Sequence, residues 1–164
     1  PMWGTENSGP KAAQKESFAG RAAVICDRED SEQDALALVE NIAKNLEMHL
    51  IYMNADAHDV HTAYISHISH ITSYALANTV LEKEREEDTI FQLASSGFSS
   101  TVRLAKSNPA MWVPIFLQNK VNVLDVLNEH IQQLTKFRDS IRDDKGTDLQ
   151  NLIEHANKIR RIIK

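Results

Sequence analysis

Cysteine is almost absent: Cys26 is the single thiol among 164 residues. It has no internal disulfide partner, and one cysteine cannot build a Cys-rich zinc site. A reducing, cytoplasmic setting suits that composition. Glycine is also scarce, with five residues, and no G-x-G-x-x-G occurs, so the chain has no dinucleotide fingerprint of its own. No apolar run approaches the roughly 18–20 residues of a membrane helix. Basic residues are not in excess either: 18 Lys and Arg stand against 23 Asp and Glu, a net charge of −5. They are scattered, so neither a nucleic acid nor an anionic membrane is expected as partner. Hydrophobic residues at 42% and charged residues at 25% describe an ordinary folded chain.

The chain opens on Pro1, with no basic and apolar leader behind it, and is expected to be a piece of something longer. Its two parts differ in charge. Residues 1–56 hold ten acidic and five basic side chains, whereas 57–164 hold thirteen of each. In the first part, Arg21–Cys26 suits a buried strand. Ser31 is expected to cap a helix over about 32–47, with Leu36, Val39, Ile42, Ala43 and Leu46 on one face. His49–Met53 reads as a second strand. The result is a βαβ unit, which needs a larger sheet than two strands supply.

The second part reads as all helix. A long helix is expected over about 57–84, a short one over 89–94, a break at Gly97 and another helix over 99–106. Asn108-Pro109 is a helix-start signal. Pro114 should end or kink that helix before a long one resumes to about Arg142. Gly146 and Thr147 suggest a stop and a cap before a last helix over 148–163. The fold class is therefore α+β: the terminal βαβ piece of a nucleotide-binding α/β domain over 1–56, then an all-α helical domain over 57–164.

The most informative pattern lies in the 57–80 helix. At 100° per residue, Tyr64, Ile65, Ile68, Ile71 and Ala75 share an apolar face, and Thr62, Ser66, Ser69, His70 and Ser73 share a polar arc. Solvent, another helix or a ligand could meet that arc. A solvated face with hydrogen-bonded core histidines is the commoner outcome for such spacing. His58, His61, His67 and His70 do not form a metal site, since they point to opposite sides and only Asp59 is near. Arg103, between Val102 and Leu104, either snorkels to water or grips a carboxylate with its two-pronged guanidinium. Trp112, beside a helix start, suits a core or an interface. Pro1–Pro10 is a loop rich in small residues, open to close approach by a ligand.

Three segments together resemble the prephenate dehydrogenase family of tyrosine biosynthesis. Pro1–Gly9 is similar to the family's His-Pro-x-x-Gly-Thr-Glu-x-Ser-Gly loop. His58-Asp59 with Ser66-His67-Ile68-Ser69-His70 is similar to its HD…SHxxH helix. Gly97–Trp112 is similar to its Gly-Phe…Arg-(Ile/Leu)-Ala-x-Ser-x-Pro-x-Met-Trp segment. Two departures stand out: Ser95-Ser96 replaces part of a glycine run, and Asn108 stands where some relatives have Asp.

The resemblance implies NAD-dependent oxidative decarboxylation of prephenate, or of arogenate, to an aromatic product. Hydride leaves C4 for NAD or NADP, a neutral histidine takes the hydroxyl proton, and carbon dioxide is lost. It implies that the catalytic histidine immediately precedes Pro1, that a preceding domain holds most of the cofactor, and that this chain alone is inactive. It further implies that Arg103 holds the ring carboxylate, that Ser66, His70 and Thr5 line the cleft, and that His67 lies to one side. Trp112 would close the pocket, with a partner subunit as a candidate source. The same resemblance implies a homodimer through the helical part. A derived helical module that binds the ligand without turning it over is the alternative.

Overall fold

The computed structural model describes residues 9–14, 16–84 and 90–161, without the side chains of Ile90 and Phe91. Thr5 and the rest of the opening loop to Ser8 lie outside the described residues, as does the charged stretch 85–89. The chain forms two compact units, Pro1–Val123 and Leu124–Lys164.

The first unit opens with a 3-10 turn, Pro10–Ala12, and then β1 (Ala22–Cys26), α1 (Gln33–Asn45) and β2 (His49–Met53). The strands pair in parallel, from Ala22 opposite His49 to Cys26 opposite Met53. A parallel pair requires a crossover between its strands, and α1 is that crossover. Leu36 and Ala43 bury their side chains, but Val39, Ile42 and Leu46 stay exposed, because two strands cover only part of the helical stripe. Ser31 does not cap α1. The N-cap position falls on Glu32, with no side-chain capping bond. At the other end Met48 N–H reaches the Ala43 carbonyl and Glu47 N–H the Lys44 carbonyl. With Glu47 at φ 56°, this is a Schellman closure built without glycine.

Asp27 joins this piece to the helices. Its backbone is left-handed, at φ 45°, its N–H donates to the Met53 carbonyl, and its carboxylate accepts from Ala55 N–H. Asn54 adds a side-chain cap, accepting from Ala57 N–H at 2.7 Å. Together they start α2 (Ala55–Thr62), two residues earlier than the pattern suggests. Then comes a π-helical turn, Ala63–His67, closed by Ile68 N–H on the Ala63 carbonyl, before α3 (Ile68–Glu84). Such a turn inserts an extra residue into the helical ladder and rotates everything beyond it. The straight-helix apolar face therefore fails: Tyr64 and Ile65 are 47% and 62% exposed.

A 3-10 turn at Ile90–Leu93 leads to α4 (Ser96–Thr101), then a 3-10 turn at Arg103–Lys106 and α5 (Pro109–Gln118). Gly97 does not break the chain; it sits in the first turn of α4. Asn108 caps α5 as the sequence suggests, its side chain accepting from Ala110 N–H, with Pro109 first in the helix. Pro114 lies inside α5 without ending it. Proline withholds one bond from the Ala110 carbonyl, and the packing of Trp112 and Phe116, one turn apart, outweighs that local loss. The break falls instead at Asn119, between α5 and α6 (Lys120–Arg142).

The second unit comprises the rest of α6, α7 (Gly146–Ala156) and a closing 3-10 turn, Asn157–Arg161. Gly146 is the first residue of α7, not a stop. Asp144, at φ 51°, takes the left-handed position, with Lys145 N–H on Ser140 and Asp144 N–H on Ile141. No helix of the described residues is long and apolar enough to cross a membrane.

Candidate functional site

The polar arc of the α2–α3 helix is largely a docking surface. Ser73, almost completely buried, donates from Oγ to the Thr101 carbonyl at 2.6 Å. Tyr74 reaches the Ser107 carbonyl at 3.5 Å, the far limit of a hydrogen bond. Thr101 and Ser107 bracket the turn that carries Arg103, so α3 holds that turn at both ends. Ser69 alone of the arc's α3 residues is exposed, and its hydroxyl bonds back to the Ile65 carbonyl.

Beside this turn stands an aromatic cluster from α5. Trp112 stacks on His70, with ring centroids 3.4 Å apart and planes 26° from parallel. His67 meets the same indole edge-on at 6.0 Å and Phe116 at 6.3 Å. His67 and His70 are three residues apart, so both can flank one bulky ring from a neighbouring helix. Trp112 is thus seated against histidines of its own chain. Its Nε1 and the Ser107 hydroxyl are buried and find no hydrogen-bond partner among the described residues. Each such group costs on the order of 1–3 kcal/mol unless water or a ligand meets it.

The histidine protons can be assigned from their partners. His70 Nδ1 lies 3.0 Å from the Ser66 carbonyl, which can only accept, so Nδ1 carries the proton and Nε2 is left as an acceptor. Burial lowers the His70 pKa below the usual value; the Ser66 carbonyl opposes that, and the positive charge of Arg103 adds to it. The exposed Arg103 guanidinium is therefore an electrostatic neighbour of the stack. Burial also lowers His67, against the pull of Asp59 and with the help of His70 and His58.

These shifts fix a sign for stability against pH. In the unfolded chain both rings take a proton near pH 6.5, but in the fold only at lower pH. As pH falls, the unfolded state binds protons first, so their contribution is complete above 6.5 and is lost towards the folded values. The melting temperature is expected to fall between about pH 7.5 and 5, and less steeply in His70→Phe, which keeps a ring on Trp112 without a titrating group. Parallel melting curves for the two proteins would remove this account.

The structure thus gathers Ser66, His67, His70, Arg103 and Trp112 around one locus. Among the described residues no group of three or more His, Cys, Asp or Glu side chains is arranged to hold a metal ion. Sequence spacing missed Tyr74, Phe116 and above all Asn119, whose roles depend on contacts between distant segments. The one signal for Asn119 was a polar residue just past the apolar run Met111–Leu117.

The locus falls within residues 54–158, which match the family model for the prephenate dehydrogenase dimerization domain. Residues 1–52 match the model for the prephenate dehydrogenase nucleotide-binding domain. The chain belongs to the prephenate dehydrogenase family. It is 30% identical over 160 residues to a prephenate dehydrogenase of Bacillus subtilis, covering 98% of this chain and 43% of that protein. It is 29% identical to a cyclohexadienyl dehydrogenase of Zymomonas mobilis, covering all of this chain and 56% of that one. A crystal structure of prephenate dehydrogenase from A. aeolicus, in complex with hydroxyphenyl propionate and NAD+, superposes with a TM-score of 0.85 at 26% identity. That match covers 98% of this chain and 56% of the other. The chain therefore spans about half the length of the relatives it matches.

Proposed function

We propose that the protein containing this chain is an NAD-dependent prephenate dehydrogenase, and that this chain supplies the substrate-holding side of the cleft. The observation that carries the reading is the Arg103 turn, fixed to α3 at Thr101 and Ser107 beside the His70–Trp112 stack. Prephenate is a cyclic dianion. A guanidinium close to His70, with both His70 and His67 kept neutral by burial, offers one fixed positive charge for a carboxylate and uncharged hydrogen-bonding groups for the rest.

In this reading Arg103 holds the ring carboxylate by a two-pronged pair. His70, with its proton on Nδ1, presents Nε2 as an acceptor for a substrate hydroxyl. Ser66 and Thr5 line the cleft, and Trp112 walls it against water, which strengthens each polar contact inside. The parallel β1–β2 pair with its crossover helix fits the end of a dinucleotide-binding sheet, although no phosphate-cradling glycine loop stands in this chain. The bound nicotinamide supplies the hydride acceptor. Residues 1–56 then act as the tail of the cofactor domain and 57–164 as a substrate-binding and dimer-forming domain. The family model's description as a dimerization domain supports a homodimer.

The test is turnover by the full protein. With prephenate and NAD it is expected to release carbon dioxide and form NADH and 4-hydroxyphenylpyruvate. Silence with both prephenate and arogenate, in a folded protein, would reject the enzymatic reading and leave a ligand-binding module.

A further inference from the structure

Asn119, at the break between α5 and α6, is 9% exposed and fully engaged. Its Nδ2 lies 2.7 Å from the Asp59 carbonyl and 3.3 Å from His67 Nδ1, and its Oδ1 accepts from Asn122 Nδ2 at 2.8 Å. A backbone carbonyl can only accept, so the atom facing Asp59 must be the amide nitrogen. The alternative flip would set two oxygens against each other there, and two NH2 groups against each other at Asn122. With the amide so fixed, one of its protons points to Asp59 and the other to His67 Nδ1. An N–H at that ring position would set donor against donor, so Nδ1 is bare and the proton sits on Nε2.

We propose that Asn119 is a positioning residue that holds His67 in its neutral Nε2–H form, so that the ring offers an uncharged donor at Nε2. His67 and His70 then carry opposite tautomers, although they flank the same indole. One presents a donor and the other an acceptor, which suits a ligand bearing both an anionic group and a hydroxyl. The charged and titratable groups acting on His67 are Asp59 and His58 from α2 and His70 from α3. A positive charge on the buried His67 ring would carry a desolvation cost, whereas a neutral donor avoids it. That the donor serves the anionic ring substrate rests on the functional reading above; the tautomer does not.

Both parts can be measured on the full protein labelled with 15N-histidine. Long-range proton–nitrogen correlation near neutral pH distinguishes a bare ring nitrogen from a protonated one, and His67→Gln identifies the His67 signals. Wild type is expected to show a bare Nδ1 and protonated Nε2 at His67, and the reverse at His70. Asn119→Asp replaces the donor with an acceptor and is expected to move the His67 proton to Nδ1. A wild-type His67 that carries its proton on Nδ1, or on both nitrogens, overturns the proposal even if Asn119→Asp does not fold. So does a folded Asn119→Asp protein with the wild-type pattern.

The same variant is expected to raise the KM for prephenate about tenfold, the scale of one hydrogen bond to a charged group, with a smaller change in kcat. A moved proton with unchanged KM refutes the role in substrate binding. Absence of any turnover in wild type refutes the functional reading instead, and the tautomer is still decided by the spectrum.

Discussion

Arg103→Ala, in the full protein, is expected to raise the KM for prephenate by roughly 10- to 100-fold, the range for charge-assisted hydrogen bonds, while kcat falls less. The turn that carries Arg103 remains fixed to α3 through Ser73 and Tyr74, so the fold is expected to survive the change. Arg103→Lys keeps the charge but loses the planar fork, and should fall between wild type and alanine. Steady-state kinetics with the three proteins decides the matter. An alanine variant with wild-type KM would show that Arg103 does not hold the carboxylate, and the remaining functional argument would then lack its charge.

Trp112→Ala is expected to produce the largest loss of stability. It removes the stack on His70, the edge contact to His67 and the packing on Phe116 at 5.4 Å. Truncating a buried tryptophan costs about 3–5 kcal/mol, which for a chain of this size lowers the melting temperature by roughly 10 °C. Trp112→Phe refills most of the volume and should retain most of that stability. The alanine variant also admits water to His70, so its pKa should rise back towards the ordinary histidine value. A melting temperature within about 2 °C of wild type would mean that the cluster does not hold this part of the fold together. Calorimetry and the titration of His70 read the two effects separately.

Some elements are legible in the sequence because their causes are local. The strand His49–Met53 and the Asn108-Pro109 start of α5 need only a short apolar run and a capping side chain. Others are not. The π turn at Ala63–His67 has no composition of its own, and the rotation it introduces takes Tyr64 and Ile65 out of the face that a straight helix gives them. Glycine permits a break at Gly97 and at Gly146, yet both lie inside helices. The chain instead turns at Glu47 and Asp144, where Schellman hydrogen bonds outweigh the cost of a left-handed non-glycine residue. Pro114 likewise stays inside its helix.

The candidate site divides in the same way. His67, His70, Arg103 and Trp112 can be named from motif and spacing, because each sits in a short segment with a recognisable pattern. Tertiary structure decided that Trp112 stacks on His70, that Ser73 fastens the Arg103 turn, and that Asn119 sets the proton of His67. The sequence by itself determined the fold class, the family and the side chains available for chemistry, since these rest on periodicity, composition and local motifs. The proton position of His67, the stacking of Trp112 and the anchoring of the Arg103 turn depend on groups 28 to 60 residues apart meeting in space. No local pattern encodes such contacts, because their energies appear only when the packed surfaces are already in place.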